Sequence, residues 1–397
     1  MDTPVTHSDA SNMPIRSIRF RPLSGDGRVA FAAEACIAAR SLPSACPSCA
    51  QACPAGAVRV GEAGPELVAG CLGCGRCASA CPTGAIVLKG FPESGKLPSG
   101  NAPLHVECWK VPASLTGHTA LRVPCLGGLD TGQLLEWQAL LGDTPLHLID
   151  RGWCTQCRAG GEAHPVQAAL DEVVRLREVC NLQSVEQPRL VHRPLPAALM
   201  PAAIPEPATE EKIGRRAFFR RFAAETANAI PASPPTAPRP RRSSPFPLPK
   251  RERLLAALEV LTRLPIERLS AAVLPRLTLT ASCDHLGVCA GMCPTGALHL
   301  YEENGHAGAA FEPRDCIACG LCAQACPARA IEVRQHGSPD ANAVEHVLTC
   351  FPLAECGNCL APFATTQGAT LCPACRRSRS MSQQLFGTRF AGAQTSQ

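Results

Sequence analysis

The sequence lacks the motifs and the long apolar runs that mark most nucleotide-dependent enzymes and membrane proteins. It contains no Walker loop, no GxGxxG after a strand and no nucleophile elbow, which argues against an enzyme in its own right. No apolar stretch approaches the roughly 18 residues that a membrane-spanning helix needs. The first residues, MDTPVTHSDASN, are polar, so we expect no signal peptide and a cytoplasmic location.

Aromatic residues are also scarce. They make up 4% of the 397 residues, with one tyrosine and three tryptophans, so the individual cores are expected to be small. Proline, in contrast, occurs 38 times, about twice its usual share, and indicates long connecting segments. A chain of this length has room for two to four compact domains.

Cysteine is the residue in excess, with 25 in the chain. Disulfides could explain this number in a secreted protein, but the cysteines here fall into CxxC and CP patterns, which are typical of metal ligands. Two segments repeat the same spacing: residues 71–84 read CLGCGRCASACPTG and residues 316–328 read CIACGLCAQACPA. Both follow C-x2-C-x2-C-x3-C-P, and the chain therefore resembles bacterial two-cluster ferredoxins, or a polyferredoxin with two such modules.

The resemblance implies a ligand set for each cluster of the first module. The half-motif before the first complete run has Pro43 where a first cysteine is expected, and Cys36, upstream in a predicted helix, is the natural substitute. In two-cluster ferredoxins the cysteine before proline binds the partner cluster. One [4Fe–4S] cluster is then expected on Cys36, Cys46, Cys49 and Cys81, and the other on Cys53, Cys71, Cys74 and Cys77.

The second module has one cysteine too few. Its complete site is expected on Cys293, Cys316, Cys319 and Cys322, whereas the other has Cys283, Cys289 and Cys326, with Leu286 in place of a cysteine. Three alternatives remain open: His285 fills the gap, Cys350 does so, or the site holds a three-iron cluster. We expect about four clusters in total, this one being atypical in its redox behaviour or sensitive to oxygen.

A further set of cysteines lies between the modules: Cys108, Cys125, Cys154 and Cys157. The segments PLHVEC, ALRVPC and PLHLIDRGWC are strand-like, and DTGQLLEWQALLG has helical periodicity with an aspartate N-cap. They predict a small parallel α/β unit whose cysteines meet at one sheet edge and bind a metal. The unit is similar to the small iron–sulfur subunit of some hydrogenases. The alternatives are a zinc site or unliganded core cysteines, and Cys180 is expected to be a structural thiol.

The C-terminal cysteines form two CxxC knuckles twelve residues apart: Cys356, Cys359, Cys372 and Cys375. This spacing is typical of a zinc ribbon with a stabilising role, and a single iron is the alternative.

A basic segment, GRRAFFR at residues 214–220, lies within the Pro-rich stretch. It is similar to the RRxF segments of the accessory ferredoxins that accompany exported molybdenum oxidoreductases. The simpler interpretation is an amphipathic helix that packs against a neighbouring element through Ile213, Phe218, Phe219 and Phe222. The other is a docking site for an export chaperone or an acidic enzyme. Similar ferredoxins serve nitrate reductase and formate dehydrogenase, so the likeness suggests a redox enzyme partner of that kind.

The predicted fold class is α+β, with five segments in order. They are a ferredoxin-like module at 30–95, the α/β unit at 103–185, a Pro-rich linker with the basic helix at 186–250, a helical lead-in with the second ferredoxin-like module at 251–340, and the zinc-ribbon-like segment at 345–380.

Electron transfer to or from a redox enzyme is the function that these motifs favour. The alternative is an accessory or maturation factor for an exported molybdenum or iron–sulfur oxidoreductase. The formal charge of +5 does not indicate a nucleic-acid partner, because a [4Fe–4S] core with its four thiolates carries about −2 and four of them would make the protein mildly negative.

Overall fold

The computed structural model describes most of the chain outside a central segment at residues 203–247. The described residues are 19–24, 27–40, 46–92, 97–98, 102–182, 186–202, 248–269, 271–337, 346–365 and 368–390. The basic segment at 214–220 and most of the predicted linker lie outside them. Helices and short strands alternate through the described part, so the prediction of an α+β protein is confirmed.

The first unit, at residues 21–88, combines a three-stranded sheet with a separate hairpin. Its elements are β1 (Arg21–Pro22), β2 (Val29–Phe31), α1 (Ile37–Arg40), α2 (Ser48–Gln51), β3 (Val58–Gly61), β4 (Gly64–Leu67), α3 (Arg76–Ala80) and β5 (Ile86–Leu88). β2 pairs antiparallel with β1 and β5, and β3 pairs with β4. Phe31 fills the core so closely that a Cβ on Gly64 would lie 2.5 Å from its ring, at a φ of +105°. Only glycine fits there.

The α/β unit is built on four parallel strands. Its elements are β6 (Leu104–Cys108), β7 (Leu121–Val123), α4 (Thr131–Leu141), β8 (Leu146–Asp150), α5 (Gln167–Val179) and β9 (Arg189–His192). The strand order is β7-β6-β8-β9. The predicted aspartate cap is confirmed, since Asp130 Oδ1 accepts a hydrogen bond of 2.9 Å from the Gln133 N–H. β9 lies where the sequence placed the start of the linker: Leu190 and Val191 continue the sheet despite the prolines around them.

A long helix after the central segment completes the core of the α/β unit. This is α6 (Pro249–Thr262), which packs against α4 through Leu255 and Leu258. From the sequence, this segment was predicted to be a helical lead-in to the second ferredoxin-like module. The structure differs because the apolar stripe of α6 covers the face of α4 that the sheet leaves open.

The second ferredoxin-like unit repeats the plan of the first. Its elements are β10 (Arg276–Leu279), α7 (Val288–Met292), β11 (Leu298–Glu303), β12 (His306–Phe311), α8 (Leu321–Gln324) and β13 (Ile331–Arg334). β11 and β12 form a hairpin around Asn304-Gly305, and β10 pairs with β13. The C-terminal segment, with β14 (His346–Glu355), β15 (Pro362–Ala364) and α9 (Pro373–Phe390), continues this hairpin sheet because β14 pairs with β12.

The first turn of α6 links the α/β unit to the first ferredoxin-like unit. Lys250 Nζ donates to the carbonyl oxygens of Ala78 and Ser79 at 2.7 and 2.6 Å, at the end of α3. The same ammonium lies 3.2 Å from Asp130 Oδ2, and Arg253 Nη2 lies 2.7 Å from that oxygen. Asp130 therefore caps α4 and anchors α6 at once.

The same turn reaches the second ferredoxin-like unit. Arg251 Nε donates to the Arg314 carbonyl at 3.2 Å. Leu248, just before the helix, is buried between Ile37 of the first unit and Leu321 of the second. Three units thus meet around one helical turn. No helix in the described part of the chain is both long and apolar enough to cross a membrane.

Asp130→Asn should destabilise the protein by about 3 kcal/mol, because it keeps the cap acceptor but leaves Lys250 and Arg253 without a buried carboxylate. Burial would raise the pKa of Asp130, but Lys250, Arg253 and the Gln133 N–H hold it below its usual value. The difference between wild type and variant should therefore be complete at pH 7 and shrink as the pH falls below about 4.

The measurement is urea unfolding of the anaerobic protein at several pH values. Asp143→Asn, at an exposed aspartate beyond the end of α4, is the control and should cost under about 0.5 kcal/mol. Equal midpoints for the two variants at pH 7 would contradict the anchoring role of Asp130.

Candidate metal centres

The structure brings Cys36, Cys46, Cys49 and Cys81 together in the first ferredoxin-like unit. Cys36 directly precedes α1, Cys49 lies in α2, and Cys81 follows α3. Burial, then the neighbouring thiols of Cys81, Cys46 and Cys36, raises the pKa of Cys49 to about 12. The substitution of Cys36 for the missing first cysteine is thus compatible with the geometry.

The second set of this unit comprises Cys53, Cys71, Cys74 and Cys77. Burial, followed by the thiols of Cys74, Cys71 and Cys53, raises the pKa of Cys77 to about 12. The four residues line one cavity, whose walls include Val29, Val58 and Leu88. A cavity bounded by four thiols and apolar walls suits a buried iron–sulfur cluster.

The complete set of the second unit has the same form. Burial and the thiols of Cys293, Cys316 and Cys319 raise the pKa of Cys322 to about 12. These four residues line a cavity together with Leu277, Leu298, Phe311 and Val333. The apolar wall is again built from strands of the unit's own small sheets.

The three-cysteine site keeps the backbone of a complete ferredoxin loop. Burial raises the pKa of Cys289, and the thiols of Cys283 and Cys326 add to the rise. In the complete loops, the residues just before and after the second cysteine have positive φ: 58° and 79° at Gly73 and Gly75, and 51° and 74° at Ala318 and Gly320. At Leu286 the corresponding residues, His285 and Gly287, have φ of 53° and 72°. Leu286 therefore occupies the position of a cysteine ligand in an intact loop.

Two predicted substitutes for the missing ligand have other neighbours. The His285 ring packs edge-on against Phe351, with centroids 5.6 Å apart. Cys350 lies on β14 and is exposed, next to Thr349, whose carbonyl accepts a hydrogen bond of 3.0 Å from the Tyr301 hydroxyl. Cys283 and Cys326, but not Cys350, are among the thiols that raise the pKa of Cys289.

Hydrogen bonds to sulfur accompany the ferredoxin thiols. The donors are backbone N–H groups of Ala57 to Cys53 at 3.2 Å, Ala330 to Cys326 at 3.3 Å, and Leu298 to Cys293 at 3.4 Å. The Thr295 hydroxyl lies 3.6 Å from the Cys293 sulfur. The Thr83 hydroxyl lies 3.5 Å from the Cys81 sulfur but donates its hydrogen to the Ala35 carbonyl at 2.6 Å. N–H donors of this kind favour the thiolate over the thiol and adjust the reduction potential of a bound cluster. The two threonines were missed by the sequence reasoning, although each follows a Cys-Pro pair.

The two ferredoxin-like units meet at a pair of these thiols. Cys46 of the first and Cys319 of the second pack against the same small core of Ile37, Leu248 and Leu321. Burial raises the pKa of Cys319, the N–H of Leu321 opposes this, and the thiol of Cys46 contributes to the rise. No motif in the sequence indicates that the modules touch.

The middle set, Cys108, Cys125, Cys154 and Cys157, also converges. Burial and the Asp150 carboxylate, followed by the thiols of Cys108 and Cys157, raise the pKa of Cys154 to about 12. Cys125 is buried, and Cys108 and Cys154 are among the thiols that contribute to its raised pKa. Lys110, which sequence reasoning did not single out, places its ammonium 3.8 Å from the Cys157 sulfur.

Asp150 and His164 extend the middle site. Together with Cys154 they place one ligand atom each within 4.8 Å of the others. The His164 Nε2 atom is buried without a hydrogen-bond partner and lies 3.9 Å from Asp150 Oδ1. The sequence reasoning did not group these residues with Cys154, because neither belongs to a CxxC pattern.

The C-terminal knuckles form the most compact group. The sulfurs of Cys356, Cys359, Cys372 and Cys375 all lie within 4.8 Å of one another, and those of Cys359 and Cys372 are 3.8 Å apart. A tetrahedral ion with bonds of about 2.3 Å requires a separation of about 3.8 Å. The Cys372 N–H, at 3.2 Å from the Cys356 sulfur, is the main cause that lowers the pKa of Cys356 to about 6. Cys180, in contrast, lies beyond the end of α5 against the core of the α/β unit.

Comparison with known families identifies the iron–sulfur domains. Residues 281–330 match a family model described as a 4Fe-4S dicluster domain, and residues 69–87 match one described as a 4Fe-4S binding domain. A search of curated proteins found no match to the chain. These two segments of the chain are therefore of the iron–sulfur, ferredoxin type, and both include cysteines that line the cavities described above.

Leu286→Cys should complete the three-cysteine site. The backbone on both sides already has the conformation of the complete loops, so the new thiol should bind without rebuilding the loop. If the site holds a three-iron cluster, we expect a gain of about one iron per chain and the replacement of the three-iron EPR signal of the oxidised protein by a reduced four-iron signal.

Val347→Cys adds a thiol on an exposed position of β14 and is the matched control, with no expected gain of iron. Unchanged iron content and an unchanged EPR spectrum in Leu286→Cys would contradict the ligand gap.

Proposed function

We propose that the chain is a multi-cluster electron carrier, in which two ferredoxin-like units work as one relay for a redox enzyme. The observation that carries this proposal is that Cys46 and Cys319 pack against the same core of Ile37, Leu248 and Leu321, where the Cys46 thiol contributes to the raised pKa of Cys319. Electron tunnelling weakens steeply with distance, so two carriers on one chain can exchange electrons rapidly only where their ligands come this close.

Four sets of cysteines are proposed to hold the clusters. The proposed ligands are Cys36, Cys46, Cys49 and Cys81; Cys53, Cys71, Cys74 and Cys77; Cys293, Cys316, Cys319 and Cys322; and the incomplete set Cys283, Cys289 and Cys326. Apolar side chains exclude water from the two cavities, and the N–H donors stabilise thiolate charge. When bound, the clusters supply one-electron redox chemistry. No residue beside the four sets needs to react with a substrate in this scheme.

The C-terminal knuckles are proposed to bind one zinc ion as a structural element. The sulfur spacing suits a single tetrahedral ion, and β14 ties the knuckles to the hairpin of the second unit. Zinc has no redox chemistry, so its role here is to fix the end of the chain against that unit.

The proposed partner is a redox enzyme, with a molybdenum oxidoreductase such as formate dehydrogenase as the specific candidate. This rests on the likeness of residues 214–220 to the RRxF segments of accessory ferredoxins. In the sequence, the segment lies between the α/β unit and α6.

A second function, an accessory factor that hands clusters to an apo-enzyme, is favoured by the three-cysteine site. A cluster held by three thiolates has one iron without a protein ligand, which eases its loss or transfer. The two functions differ in what leaves the protein: an electron in one case, iron and sulfide in the other.

To separate them, dithionite-reduced protein is mixed anaerobically with excess one-electron acceptor, and separately with an apo-ferredoxin. A carrier should be reoxidised by the acceptor while keeping over about nine-tenths of its iron and sulfide, and the apo-ferredoxin should remain colourless. Loss of iron to the apo-ferredoxin, without rapid reoxidation by the acceptor, would favour the accessory factor and contradict the carrier. Iron and sulfide are measured on each protein after separation.

A further inference from the structure

The four middle thiols lie along the carboxyl-terminal edge of the parallel sheet. Cys108 is the last residue of β6, Cys125 follows β7 by two residues, and Cys154 follows β8 by four. Because β6 is paired with both β7 and β8, the three chain segments leave the sheet side by side. Parallel strands place their ligand-binding loops at this edge. Neither family match includes these residues.

The spacing of these sulfurs differs from that of the C-terminal knuckles. Among the described residues, two groups of three or more ligand atoms lie within 4.8 Å of one another: the knuckles, and Asp150 with Cys154 and His164. Within that same part of the chain, no three of the middle cysteines meet this distance, and neither do the ferredoxin sets. Several irons separate their thiolates more widely than one tetrahedral ion does. The middle set therefore lacks the close spacing that one zinc ion on four cysteines requires.

The middle set also lies against a ferredoxin set. Cys125 and Cys74 are both buried in one small core with Ala159, and Cys157 packs against it. The backbones are in close approach, since a Cβ on Gly128 would lie 2.8 Å from the Cys74 carbonyl oxygen. Electron exchange between the two thiol sets needs this kind of proximity.

Hydrogen bonds fix this approach. From α3, Arg76 Nη1 donates to the carbonyls of Ala159 and Gly160 at 3.2 and 3.0 Å, and Ser79 Oγ donates to the Gly127 carbonyl at 3.1 Å. The loops that carry Cys125 and Cys157 are thus tied to the helix that carries Cys77.

Positive charge and an N–H donor face the middle thiols. The Lys110 N–H lies 3.4 Å from the Cys108 sulfur, and its ammonium lies 3.8 Å from that of Cys157. Four thiolates at a buried edge need such compensation, and an added electron would be stabilised by it as well.

We propose that Cys108, Cys125, Cys154 and Cys157 bind a redox-active iron–sulfur cluster at the end of a single series of five centres. From one end the series runs through the three-cysteine site, the complete set of the second unit, the Cys36 set and the Cys53 set to the sheet edge. The contacts that join the units are Cys319 with Cys46 and Cys74 with Cys125. The inference rests on the proposed carrier function, and adds a terminal centre through which electrons enter or leave.

Each exchange along this series moves one electron and no atoms. One centre is oxidised by one electron as its neighbour is reduced by one, and the electrons come from, and return to, the external redox enzyme. In the test, dithionite takes the place of the reduced partner.

The test compares two double variants of full-length, anaerobically purified protein: Cys154→Ser with Cys157→Ser, and, as the matched control, Cys356→Ser with Cys359→Ser. The first should lose about two irons if the cluster is binuclear, or about four if it is a cube, with equal sulfide and unchanged zinc. Spin–spin splitting in the EPR spectrum of the reduced protein should also decrease, because the Cys53 set loses its neighbour. The control should lose about one zinc and no iron.

Loss of zinc from the first variant with iron unchanged would overturn the inference, and so would loss of a single iron without sulfide, which would place one ion at Asp150, Cys154 and His164. No change in metal content would overturn it too. If wild type contains no ferredoxin iron at all, the carrier proposal itself fails, so the two failures are distinguishable.

A second variant, Lys110→Met, keeps every thiol. It tests the inference even if the double cysteine variant does not fold. Loss of the positive charge should make one centre harder to reduce, so one midpoint potential should fall in a redox titration while the others stay in place. Midpoint potentials that are all identical to wild type would contradict a redox-active centre at the sheet edge.

Discussion

The first turn of α6 is the contact on which the arrangement of the whole molecule depends. Lys250 binds the carbonyls that end α3 and the carboxylate of Asp130, while Arg251 binds the second ferredoxin-like unit. Small ferredoxin units have few large side chains to pack, so polar contacts and the small core around Leu248 hold them in place. Without this turn each unit could still fold around its own thiols, but the two ferredoxin-like units would lose the contacts of Leu248 and Arg251 that join them.

That arrangement brings thiols close to one another across the unit boundaries. Cys46 and Cys319 pack against one shared core, and Cys74 and Cys125 lie together in another. The first unit therefore lies in the middle of the proposed series, although it comes first in the chain. Its two sets are themselves adjacent, since the thiol of Cys49 contributes to the raised pKa of Cys77. An electron carrier needs this continuity more than it needs any single reactive side chain.

Local chemistry was predictable from the sequence, and long-range packing was not. The spacing of cysteine and proline predicted the thiol sets of each ferredoxin-like unit because these residues lie on short loops, and the structure places the thiol of Cys36 near that of Cys49. The strand-like segments before Cys108 and Cys125 likewise predicted the sheet edge. In contrast, α6 has an apolar stripe that could cover any neighbour, and β9 is short and surrounded by proline, so sequence alone did not place either. Lys110 and His164 act through distances that only the folded chain defines.

Iron, acid-labile sulfide and zinc per chain, measured on anaerobically purified protein, test the central claim most directly. We expect at least about fifteen irons with a nearly matching amount of sulfide, because four ferredoxin-type sets hold about 15–16 irons and the sheet edge adds to them. About one zinc should accompany them. About eight irons, with the incomplete half of each module empty, would contradict a continuous multi-cluster carrier.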